Sequence, residues 1–136
     1  MILTDTHSHL YLPHFDNDRE PLIERASAHG VSRFFLPNID GGTVEPLFRL
    51  CDEQPDRCFP MMGLHPCSVG KDYLKDLALL EKAMAGRKIY AIGEVGIDLW
   101  HSRRWFTEQK DAFRRQVHLA MEMELPLNIH SRDSFD

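Results

Sequence analysis

At 136 residues with 43% hydrophobic content, the chain has the size and composition of one globular domain, which excludes a disordered tail or a collagen-like repeat. A formal net charge of -5 argues against a broad basic surface that coats nucleic acid, although divalent cations in a pocket can still draw phosphate into an acidic protein. No stretch approaches the ~20 apolar residues of a membrane helix, and the start lacks a basic region followed by an apolar run, so neither signal peptide nor anchor is expected and the reading is cytoplasmic.

Met1-Ile2-Leu3 opens the chain as a short strand that runs into Asp5-Thr6-His7-Ser8-His9. Side chains alternate along an extended backbone, so His7 and His9 point the same way and can grip one metal ion through imidazole nitrogens. Taken alone, the pair fits a polar N-terminal turn equally well. After an irregular loop, Asn17 or Asp18 can cap a helix reaching about His29, where Gly30 stops it; Leu22, Ile23 and Ala26 form its apolar stripe. A strand is expected over residues 31–37, around Phe34-Phe35-Leu36. Gly41-Gly42 separates it from a helix over about residues 43–53, with Val44, Leu47, Phe48 and Cys51 at helical spacing.

A third strand over residues 58–63 leads into His65-Pro66. Leu74, Leu77, Leu79 and Leu80 then mark a helix over residues 71–85, ended by Gly86. A fourth strand, residues 88–93, delivers Glu94 at its C-terminal end. The longest helix follows, about residues 107–124, with Phe113, Val117, Ala120 and Met121 expected on one face. Residues 126–129 form the fifth strand and deliver His130. The three cysteines, Cys51, Cys58 and Cys67, are odd in number and lack C-x-x-C spacing, which argues against a disulfide network or a thiolate zinc site.

Strands near residues 2, 33, 58, 88 and 126, each pair separated by one helix, predict βαβ units and a parallel sheet. Two arrangements fit: an open doubly wound sheet, or a parallel (β/α) barrel of TIM type. Candidate ligands at the ends of strands one, four and five favour the barrel, because closure brings separate strand ends to one mouth. A complete barrel takes ~250 residues, so the expectation is the N-terminal part of a single barrel domain over 1–136, about four and a half β/α units of eight. Such a chain is expected to be a fragment, or to pair with another copy through its open sheet edges.

Glycines on both sides of Glu94 place its carboxylate without crowding, and a carboxylate can bridge two cations ~3.5–4 Å apart. Asp98 can orient a ligand from behind or serve as a turn cap. His130 ends an apolar strand and is read as a ligand to a second cation, while Arg132 suits a phosphate oxygen through its planar fork. His65 reaches the same mouth and is read as a hydrogen-bond donor to phosphate rather than a metal ligand.

The stretches Asp5 to Leu10, Phe15 to Arg19, Gly63-Leu64-His65-Pro66, Gly93 to Asp98, Gln109 to Ala120 and Pro126 to Arg132 closely resemble the TatD family of metal-dependent deoxyribonucleases, within the amidohydrolase-like barrel superfamily. The resemblance implies that His7 and His9 bind one cation, Glu94 bridges and His130 binds the second, with Mg, Mn or Zn as the metals. It implies hydrolysis of phosphodiester bonds in DNA by metal-activated water. Tyr11 departs from the family, which usually has Asp or Asn there. The family also supplies a histidine after strand six and a catalytic aspartate after strand eight; neither role has a residue here, so no catalytic side chain is assigned and impaired activity is expected. Two other readings are carried: an amide or lactone hydrolase of the same superfamily, and an inactive truncated metal-binding fragment.

Overall fold

The computed structural model describes residues 1–135. Strands β1 (Leu3–Asp5), β2 (Val31–Pro37), β3 (Cys58–Met62), β4 (Ala91–Asp98) and β5 (Leu127–Arg132) alternate with helices α1 (Arg19–Ala28), α2 (Val44–Glu53), α3 (Tyr73–Met84) and α4 (Phe106–Glu122). Every neighbouring pair is parallel, in the order β1-β2-β3-β4-β5. That order decides between the two expected arrangements. A doubly wound sheet reverses its direction of growth at a switch point, whereas here each strand is added on the same side, as in a closing β/α barrel. The fold is a half-barrel with its helices. Among the described residues no helix is long and apolar enough to cross a membrane.

Strand alternation builds the two faces. Phe34 and Leu36 of β2 are buried in one cluster with Ile23, Leu47, Leu50, Leu77 and Leu80 from the helices. Burying a side chain such as Leu36 stabilises the fold by about 2 kcal/mol. Phe35 points to the opposite face and meets Phe59 and Tyr90, with ring centroids 5.0 to 6.0 Å apart. At the C-terminal end of β2 the fully buried Asn38 donates from Nδ2 to the Gly63 carbonyl at 2.9 Å and the Asp40 carbonyl at 3.1 Å. The His65 N–H donates to the Ile39 carbonyl at 2.9 Å. These bonds tie the segment carrying His65 to the end of β2.

Two expectations need correction. The fourth strand begins at Ala91 rather than residue 88 and continues through Glu94 to Asp98, and β5 continues through His130 to Arg132. Gly96 is the reason: its missing side chain lets β4 lie against the His130 carbonyl, so pairing persists beyond Gly93, where the strand was expected to end. The buried face of α4 is also different. It carries Gln109, Ala112, Gln116 and Ala120, while Met121 is 70% exposed. Backbone hydrogen bonding, not apolarity, draws the two glutamines inward: each clamps both the N–H and the C=O of one residue at a strand end, Gln109 at Asp98 and Gln116 at Leu64.

Candidate metal centre

β1 ends at Asp5, so His7 and His9 stand on the segment beyond the strand and not on the strand itself. The chain bends at His7, and the Ser8 N–H donates to the Phe35 carbonyl of β2 at 3.2 Å, which ties the segment to the sheet. Both imidazoles turn to one acceptor: His7 Nε2 lies 3.0 Å and His9 Nε2 3.7 Å from Glu94 Oε2.

Glu94 reaches them through two features of β4. The last β3–β4 pair is Met62 with Ile92, so Glu94 lies past the end of β3, in the mouth, while β4 runs on beside β5. The register with β5 also slips between Gly93, opposite Asn128, and Val95, opposite Ile129. Glu94 is the extra residue of this bulge, and a bulge re-aims the side chain it carries.

The other carboxylate oxygen faces a second pair of imidazoles. His130 Nδ1 lies 2.7 Å and His65 Nε2 3.6 Å from Glu94 Oε1. Asp98 Oδ2 is 2.9 Å from His130 Nε2, and the rings of His65 and His130 meet edge to face at 4.6 Å. The structure thus gathers His7, His9, His65, Glu94, Asp98 and His130 at one rim. Two subsets could each hold an ion, His7 with His9 and Glu94, and His65 with Glu94 and His130; within each, the donor atoms lie within 4.8 Å of one another. Arg132 stands two residues beyond His130, its guanidinium 4.7 Å from the centre of the Trp100 ring.

Electrostatics keeps the carboxylates charged. Burial acts to raise the Glu94 carboxyl, but the imidazoles of His65, His9 and His130 around it outweigh burial and hold the group far below the usual carboxylate range. At Asp98 burial likewise opposes, and bonds from His130, Cys67 and the Trp100 N–H bring the net shift down.

Tyr11 supplies a feature that sequence reasoning noted only as a departure. Its buried hydroxyl donates to the Pro37 carbonyl at 2.6 Å, and both Tyr11 Oη and Pro37 O lie about the ring nitrogen Nδ1 of His9, at 2.9 and 3.0 Å. A carbonyl can only accept, so the Pro37 contact calls for hydrogen on Nδ1, the tautomer that leaves Nε2 to a cation. Nε2 stands 3.7 Å from Glu94 Oε2, a separation that a shared cation can span. Burial pushes the Tyr11 phenol up, against a lowering bond with Thr43, so the hydroxyl keeps its proton. Replacing Tyr11 by Phe is expected to weaken divalent-metal binding about 10- to 100-fold, read by competition with a chromogenic chelator. Unchanged affinity would mean that the Pro37 carbonyl alone holds the ring.

Sequence reading also missed the two glutamine clamps. Their signal was present: Gln109 and Gln116 fall seven residues apart on α4, in line with the small buried Ala112 and Ala120. Polar residues on an otherwise buried stripe mark backbone groups that the neighbouring strands leave unpaired.

A parallel β/α half-barrel whose strand ends present a histidine and carboxylate cluster of metal-binding type defines the class: barrel proteins with their site at the C-terminal mouth. The family model described as TatD related DNase matches residues 4–136. The chain belongs to the TatD family. It is 36% identical over 133 residues to the metal-dependent hydrolase YabD of Bacillus subtilis, covering 98% of this chain and 52% of that protein. With the 3'-5' ssDNA/RNA exonuclease TatD of Cronobacter sakazakii it shares 34% identity over 123 residues, covering 88% of this chain and 45% of that protein. The crystal structure of YjjV, a TatD homologue from Escherichia coli, superposes with a TM-score of 0.87 at 30% identity, covering 96% of this chain and 51% of that chain. The chain spans about half the length of the curated relatives it matches.

Proposed function

We propose that this centre holds two divalent cations, Mg, Mn or Zn, bridged by Glu94, and serves the hydrolysis of phosphodiester bonds in nucleic acid, DNA foremost, in the cytoplasm. The observation that carries the reading is the division of the Glu94 carboxylate, with Oε2 turned to His7 and His9 and Oε1 turned to His130 and His65. A single-ion site has no need of a carboxylate addressed from both sides. Membership of a family whose relatives include metal-dependent hydrolases and DNA/RNA exonucleases supports the substrate class. The free thiols Cys51 and Cys58, both buried, suit a reducing compartment.

When bound, the paired ions supply a water acidified toward neutrality as nucleophile and polarise the phosphoryl oxygen. In this reading His7 and His9 would hold one ion and His130 the other, and Asp98, accepting from His130 Nε2, would leave Nδ1 to the cation in place of its contact with Glu94 Oε1. His65 is placed to donate to a phosphate oxygen, and Arg132 offers the planar guanidinium edge to the same group. The glutamine clamps on Asp98 and Leu64 fix the backbone from which Asp98 and His65 project.

Elemental analysis of the purified chain after equilibration with Mn or Zn tests the centre directly, and about two ions per chain is the expected result. Substrate class is tested on the same samples with a nitrophenyl phosphodiester beside ester and cyclic-amide panels, with and without chelator. Absence of bound metal, or hydrolysis confined to cyclic amides, would overturn the proposal.

A further inference from the structure

We propose that Trp100, seated on Arg132 in the loop between β4 and α4, is a stacking platform for an unpaired base of the nucleic acid next to the metal centre; this rests on the nucleic-acid reading above and assigns a substrate-positioning role to a residue outside the metal cluster. Trp100 is 59% exposed, an unusual setting for the largest apolar side chain in a molecule that has core to offer. It is nonetheless pinned in place. Its backbone N–H donates to Asp98 Oδ1 at 3.0 Å, while the Leu99 N–H donates to the Arg132 carbonyl at 2.9 Å. Asp98 holds His130 with its other oxygen, so the backbone of Trp100 and the His130 ring share one carboxylate.

The Arg132 guanidinium lies 4.7 Å from the ring centre, which fixes the plane of the indole and leaves over half of the side chain open to water. A purine or pyrimidine can stack on an aromatic face or on a guanidinium plane, and this pair presents both. The loop sequence Leu99-Trp100-His101-Ser102-Arg103-Arg104-Trp105 holds two arginines and no acid, in a chain whose net charge is -5. A second cation and aromatic pair follows at its end, with Arg104 4.7 Å from the Trp105 ring centre. Local positive charge for the backbone together with flat faces for bases is the pattern of single-strand binding, whereas in a duplex the base faces are already stacked. Arg132 thus has two duties in one geometry, its face against Trp100 and its edge available to phosphate.

The test measures fluorescence anisotropy of the full chain with three labelled probes: a single-stranded oligothymidine, an abasic oligonucleotide of equal length and charge, and a blunt duplex. Trp100→Ala is expected to lose about 5- to 100-fold in affinity for oligothymidine and to bind the abasic strand as the unsubstituted protein does, while Trp100→Phe keeps most of the affinity. The exposed position makes misfolding a minor concern, and unchanged thermal melting checks it. Equal affinity of Trp100→Ala and the unsubstituted protein for oligothymidine, an equal loss on the abasic strand, or tighter binding of the duplex than of the single strand would overturn the platform and leave the hydrolase reading standing. Failure of the unsubstituted protein to bind any of the three would overturn both.

Discussion

Glu94→Ala is expected to lower divalent-metal affinity by more than about 100-fold, beyond the 10- to 100-fold typical of a partner that only orients a ligand. The reason is geometric. Glu94 is the one residue common to both candidate donor sets, so its loss removes a ligand from each at once. His65→Ala touches only one set and is expected to cost less than about tenfold. Titration of both variants with the same metal, followed by elemental analysis, decides the matter; equal losses would show that the roles of Glu94 and His65 have been misassigned. The carboxylate also predicts a pH effect on the metal-free protein. Its folded-state value lies below the unfolded one, so its contribution to stability is complete above about pH 4.3 and is lost only as the pH falls toward the folded value. Glu94→Gln should therefore narrow the difference in melting temperature between pH 6 and strongly acidic conditions.

Gly96→Ala carries the largest expected effect on folding. A β-carbon built at Gly96 would lie 1.9 Å from the His130 carbonyl oxygen and 2.9 Å from its carbon, and the backbone there has φ of +149°, which L side chains rarely adopt. Neither contact is with the flexible end of a side chain, so β4 and β5 must separate. We expect a loss of about 4 kcal/mol or more, seen as a collapse of the denaturation midpoint or as insoluble protein. Gly70→Ala is the matched control, with nothing within 4 Å of the added carbon and an expected change within about 0.5 kcal/mol. Similar midpoints for the two variants would show that the β4–β5 contact at Gly96 is looser than described.

The helices were legible to within a residue or two at most ends because their signals are local: Gly30 and Gly86 lie just beyond α1 and α3, and leucine spacing marked α3 itself. The fourth strand was not. It was carried only as far as Gly93, and only the neighbouring β5 shows that Gly93 and Gly96 are close approaches between two backbones and that pairing runs on to Asp98. Helix α4 misled for a related reason. Met121 fits an apolar stripe, yet Gln109 and Gln116 take the inner face because unpaired strand-end groups at Asp98 and Leu64 require partners more than the core requires another methionine.

By itself the amino-acid order determined the alternation of strands and helices, the family, and which side chains of metal-binding type stand near strand ends. These follow from periodicity, turn chemistry and residue type, all of which act over a few neighbouring positions. Tertiary structure alone decided that Glu94 turns one oxygen to His7 and His9 and the other to His130 and His65, that Tyr11 and Pro37 set the proton of His9, and that Trp100 rests on Arg132. Most of these contacts join residues more than twenty-five positions apart, and their geometry depends on strand register and a single bulge, quantities that sheet packing sets and no local pattern encodes.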